Sequence, residues 1–123
     1  MYYAILIYGV EGVVERLPEE EQERLLDDHR ALQAELAEQG KLGPTVKLMA
    51  TSAAVTLRHK GQGVLALDGP FAESKEQFLG FYVIECGSMA EAIEAAKKLP
   101  LEVATLEIRP IEWMRGGTMV TDA

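Results

Sequence analysis

The chain has 123 residues, 48% hydrophobic and 26% charged. These are the proportions of one ordinary globular domain, which argues against disorder and against separate cofactor and substrate lobes. Twenty acids against twelve bases leave a net charge of −8, a field that repels phosphate backbones and anionic lipid, so nucleic acid and membrane are poor partners. Cys86 is the only cysteine, which excludes an internal disulfide and a cysteine zinc site. With no basic residue ahead of the apolar start and no cleavage signal, the expected location is the cytoplasm.

In chain order, Tyr2 to Tyr8 reads as a strand with large residues on both faces, as in a central strand covered on two sides. A loop follows, and Pro18 with Glu19, Glu20 and Glu21 marks the first turn of a helix, where a missing N–H costs nothing and negative charge meets the helix dipole. Its apolar stripe is Leu25, Leu32 and Leu36, and Gly40 ends it. Strands are expected near Thr45 to Met49 and Val55 to His59, with Lys60-Gly61-Gln62-Gly63 turning into a returning strand from Val64 to Leu67. Asp68-Gly69-Pro70-Phe71 is a turn. Leu79 to Cys86 is the next strand, with Phe81 and Val83 on one side and Tyr82 and Ile84 on the other. Ser88 and Glu91 form a capping box for a helix whose stripe is Met89, Ile93, Ala96 and Leu99, closed by Pro100. Val103 to Arg109 alternates as a last strand, and residues 114–123 form a polar tail behind a single domain of residues 1–113.

That order predicts an α+β, ferredoxin-like (split βαβ) subunit with an inserted β-hairpin. Two helices cover one sheet face. Tyr2, Tyr3, Tyr8 and the doubly apolar strands predict that the other face is buried too, by a homodimer packed sheet on sheet around a cleft.

Among chemically capable residues, His29 falls four positions after Leu25 and three before Leu32, so it points into the fold. It reads as a general acid or base, or, more often for such a position, as a core or dimer-contact histidine satisfied by a backbone carbonyl. Asp68 can accept N–H bonds within its turn, Gly69 opens the backbone to a ligand, Pro70 stiffens the loop and Phe71 lies over an apolar patch; an ordinary turn with an aromatic plug explains the same residues. His59 ends a strand and is expected exposed, Cys86 reads as a small apolar residue, and Ser52 and Ser74 lack a nucleophile's surroundings. No ligand spacing for a metal and no phosphate loop is evident, so no metal or cofactor is expected.

The run Asp68-Gly69-Pro70-Phe71-Ala72-Glu73-Ser74-Lys75-Glu76-Gln77, continuing through Gly80-Phe81-Tyr82, resembles the DGPF-motif branch of the YCII-related proteins. The opening Tyr3 to Tyr8, the helix ending at Gly40 and the closing Glu107-Ile108-Arg109-Pro110-Ile111 are similar too, so roughly residues 1 to 113 are covered. The resemblance implies a dimeric α+β barrel of ferredoxin-like subunits. In YCII-like members a histidine on the first helix and an aspartate have been proposed as a catalytic pair. A few relatives are dehydrochlorinases of chlorinated hydroxyquinol-type rings, and the barrel is shared with muconolactone isomerases. His29 matches the helical histidine; where the aspartate falls in YCII proper, this chain has Lys97-Lys98-Leu99-Pro100, so Asp68 would have to supply it. Two departures stand out: Phe78-Leu79-Gly80-Phe81 replaces a leucine followed by two glycines, and Leu42 to Met49 lacks the branch's usual glycine-leucine-x-proline ending.

Two functions follow. One is a cofactor-independent isomerase- or lyase-type enzyme with His29 as acid or base, Asp68 orienting it, and Tyr82 or Arg109 fixing an anionic or phenolic substrate. The other is a non-catalytic dimeric module that binds a small molecule or protein, tied to regulation because relatives with this motif are encoded beside sigma factors. The seven acids from Glu15 to Asp28 would suit a basic partner, and a solvated helix face as well.

Overall fold

Alternating apolar residues from Tyr2 to Gly9 form β1, the centre of the fold in the computed structural model, which describes residues 1–117 and 119. In chain order follow α1 (Glu19–Glu38), β2 (Leu42–Lys47), β3 (Val55–Lys60), β4 (Gly63–Asp68), β5 (Gln77–Glu85), α2 (Met89–Ala96) and β6 (Thr105–Pro110). The main sheet has the order β2-β5-β1-β6, with every neighbouring pair antiparallel. Each helix therefore links two parallel strands with a third between them. That is the doubled split βαβ of a ferredoxin-like α+β fold. β3 and β4 form a separate two-stranded ribbon.

The core lies between the helices and one sheet face. Ile5, Tyr82 and Ile84 from the sheet meet Leu32 and Leu36 of α1 and Ala92 and Ala96 of α2. Each large apolar side chain removed from water there contributes roughly 1.5–3 kcal/mol. The opposite face carries Ala4, Leu6, Tyr8, Phe81 and Val83, because successive strand residues point to opposite sides. The capping box forms with a small change: Ser88 Oγ accepts from the Glu91 N–H at 3.2 Å, while the Glu91 carboxylate accepts from Gly87 N–H at 3.0 Å.

Some details differ from expectation. β2 spans Leu42–Lys47, not Thr45 to Met49, and so takes in Gly43 and Pro44. An edge strand tolerates a proline, and the pairing with β5 shifts register between Leu42 and Thr45 to pass it. Ile93 is 38% exposed, and Ala92 takes its place in the core, so α2 closes on the sheet through alanines. Past β6, Gly117 lies beside the Pro44 ring of β2.

Candidate functional site

Alternation along β5 decides which candidates meet. Tyr82 turns under α1 and is 1% exposed, whereas its neighbour Phe81 turns to the open face. On α1, His29 sits between the buried Leu25 and Leu32, so its half-buried ring leans on the sheet. Its Nδ1 lies 2.8 Å from the Tyr82 hydroxyl, with the two rings 28° apart in plane. Gln33, one helical turn further on, donates its Nε2–H to the same oxygen at 2.9 Å.

This geometry fixes the proton. The Tyr82 hydroxyl has one hydrogen to give and already accepts from Gln33. In so dry a place an unspent O–H costs about 1–3 kcal/mol. Giving it to an unprotonated Nδ1 satisfies every group, and the imidazole then carries its proton on Nε2. Burial pushes His29 below its ordinary pKa of 6.5, and Lys47 adds to this while Asp28 opposes it. Burial likewise pushes the Tyr82 phenol up, against the bond from Gln33. Near neutral pH the pair is thus an uncharged phenol donating to an uncharged imidazole, whose Nε2–H is left for another acceptor.

Asp68 is not in this cluster. It ends β4 opposite Val55, exposed to solvent, and the charges acting on His29 are Asp28 and Lys47. Nor does its carboxylate hold the turn. Gly69 does, at a φ of +101° open to glycine, with its N–H on the Ala54 carbonyl at 2.7 Å and its own carbonyl accepting from Thr56 Oγ1 at 2.8 Å. Pro70 and Phe71 then form one wall of a shallow cavity of about 530 Å³, opposite Tyr8, Phe78, Leu48 and Met49. Tyr8, Phe78 and Phe81 form a row on the open face at centroid spacings of 5.5 and 6.3 Å, Tyr8 tilted against Phe78 and Phe78 stacked on Phe81. Phe71 is 73% exposed, with the Arg58 guanidinium 4.9 Å above its ring. The expected single cleft is therefore two places on opposite faces of one sheet: His29 and Tyr82 under the helix, Gly69, Pro70 and Phe71 on the open side.

Arg109 belongs to neither. It stands exposed on β6 opposite Ala4, whereas Thr105 pairs with Tyr8. Four residues of strand put it roughly 13 Å along the sheet from the cavity end. Cys86 is buried and its thiol is pushed up, chiefly by burial, as suits a small apolar residue. His59 is exposed near the hairpin turn. Among the described residues no cluster of three or more metal-ligating side chains occurs, and no helix is long and apolar enough to cross a membrane. Sequence reasoning missed Gln33. Its signal was present, since a carboxamide four residues after His29 shares its face of the helix.

Two comparisons with known proteins bear on this arrangement. The family model of the YCII-related domain matches residues 1–115. An uncharacterized protein of Rhizobium meliloti (strain 1021) is 43% identical over 122 residues, covering 97% of this chain and 98% of its own.

Proposed function

From a chain that belongs to the YCII-related family, we infer a cofactor-independent homodimer that handles the oxygen of a small carbonyl or phenolic molecule at His29. One observation supports this reading above the rest: the Tyr82 hydroxyl, which accepts from Gln33, lies 2.8 Å from His29 Nδ1, an arrangement that favours a neutral ring with its proton on Nε2. A neutral imidazole N–H polarises a carbonyl and stabilises the oxygen as an enolate develops, which eases transfer of the adjacent C–H proton to a base from solvent. That is the demand of an isomerase or a dehydrohalogenating lyase. His29 acts here as hydrogen-bond donor or acid, since its other nitrogen is occupied by Tyr82, and Tyr82 takes the orienting role in place of Asp68. Arg109 pairs with Ala4 and so turns to the open face, away from that oxygen.

The test is a screen of carbonyl and phenolic compounds by NMR shift perturbation and by turnover. Ligands that perturb the ring nitrogens of His29, and lose about tenfold or more in affinity or rate in His29→Asn, support the reading. Ligands unaffected by His29→Asn and by Tyr82→Phe overturn it.

The cavity beside Phe71 favours a second reading, a binding module without chemistry. Gly69, Pro70 and Phe71 then form the ligand wall on the open face. Binding that survives His29→Asn but fails in Phe71→Ala selects it.

A further inference from the structure

The α1 side of β2 carries a charge that no ion pair of the fold uses. Thr45 pairs with Tyr82, and Lys47 with Gly80. Directly paired residues share a side of the sheet, so Thr45 and Lys47 stand on the side to which Tyr82 turns. Both are exposed, because β2 is an edge strand and runs past the cover of the helix. The result is an open corner between α1 and β2, beside the half-buried His29. From the Tyr82 backbone, Lys47 stands about 5 Å across the sheet and about 7 Å along it. A four-carbon stem can span that gap, and Gly80, opposite Lys47, puts no side chain in the way.

The other cations around His29 are spent. On α1, Arg24 binds Glu21 and Glu102 and lies 3.6 Å from Asp28, so the acid next to His29 already faces a cation. Arg30 binds Glu23 and Asp27 at 2.9 and 3.1 Å. Lys41, Lys97 and Lys98 are each paired with a glutamate. Lys47 makes no ion pair among the described residues, and its charge is felt at the His29 ring. A chain of net charge −8 repels anions at long range. A free ammonium beside an N–H donor makes this corner an exception.

We propose that Lys47 is the anion anchor of the His29 site: it holds the carboxylate of a small molecule whose carbonyl or phenol oxygen meets His29 Nε2–H. This rests on the reading of His29 above and deepens it, narrowing the substrate class to oxo- and hydroxyaryl-carboxylates. Lysine acts there as a point charge on a flexible stem, so arginine can replace it, whereas an uncharged side chain of similar length cannot. Arg109, on the opposite face, has no part in it.

The experiment titrates the full chain with levulinate and with 4-hydroxybenzoate, each against its methyl ester, above the imidazole pKa and at low salt. Binding is read from the ring nitrogens of His29 by NMR, with circular dichroism to check the fold of each variant. The acids should bind ahead of their esters. That preference should fall about fivefold in Lys47→Met, return in Lys47→Arg, and shrink as salt is added. Acids and esters that both weaken in His29→Asn, with a preference unchanged in Lys47→Met, overturn the anchor and leave the His29 reading standing. Probes that leave the ring nitrogens unmoved overturn both.

Discussion

Tyr82 holds His29 from beneath: the phenol oxygen lies 2.8 Å from Nδ1, inside the core between α1 and the sheet. A solvent-facing histidine is free to exchange tautomers, but this one is not, because the Tyr82 hydrogen has nowhere else to go. The Nε2–H tautomer should therefore dominate, as read from the two ring 15N shifts above the imidazole pKa. Tyr82→Phe removes the constraint, leaves the Gln33 amide without its acceptor, and should cost about 0.5–1.5 kcal/mol of stability. A dominant Nδ1–H form in the unaltered protein would refute the proton assignment.

The same burial predicts a pH dependence of stability. In the folded protein His29 titrates below its ordinary 6.5. Between the folded pKa and about 6.5 the unfolded chain binds more protons, so stability rises with pH there and is flat, for this group, above. His29→Asn should flatten the urea midpoint against pH in that window. Glu91 leaves it undisturbed: held down chiefly by Lys41, it titrates below 4.5 and loses its contribution only as the pH falls through that lower range. An equal slope in the variant would mean that burial does not perturb the ring.

If Asp68 oriented His29, its charge would raise the imidazole pKa, and Asp68→Asn would lower it. The geometry predicts otherwise. Asp68→Asn should leave the His29 titration where it is. Lys47→Met, which removes a cation that lowers that pKa, should move it up, and Asp28→Asn should move it down. NMR titration of the four proteins decides the matter, and a clear fall in Asp68→Asn alone would restore the histidine–aspartate pair.

These contrasts show what was legible in the chain. Periodicity sufficed for the elements, since an apolar stripe at Leu25, Leu32 and Leu36 or an alternation at Ala104, Leu106 and Ile108 reports a face without knowing what covers it. It sufficed also to set Phe81 and Tyr82 on opposite sides. Partnership was not legible. His29 and Tyr82 are 53 positions apart, and their meeting depends on how α1 crosses the sheet. Asp68 stands out in sequence because its loop is chemically conspicuous, yet the ribbon carries it to the other side of the sheet. The true start of β2 at Leu42 was not legible for a related reason, as only a strand known to lie at an edge is expected to accommodate Pro44.

Gly80 gives the sharpest packing prediction. A Cβ built there would sit 2.2 Å from the Val46 carbonyl oxygen of β2, whose Lys47 pairs with Gly80. Backbone cannot yield as a flexible side chain does, so Gly80→Ala must push β2 away from β5 along Thr45, Val46 and Lys47, which pair with Tyr82, Phe81 and Gly80. The cost should be about 1–3 kcal/mol or more, seen as a lower urea midpoint. It should also reach His29, since the displaced strand carries Lys47, one of the charges that sets its pKa. At the neighbouring Leu79 the chain already accepts a side chain, so Leu79→Ala should lose only packing and leave the imidazole titration in place. A Gly80→Ala protein of unchanged stability would show that β2 is not clamped to β5 at this point.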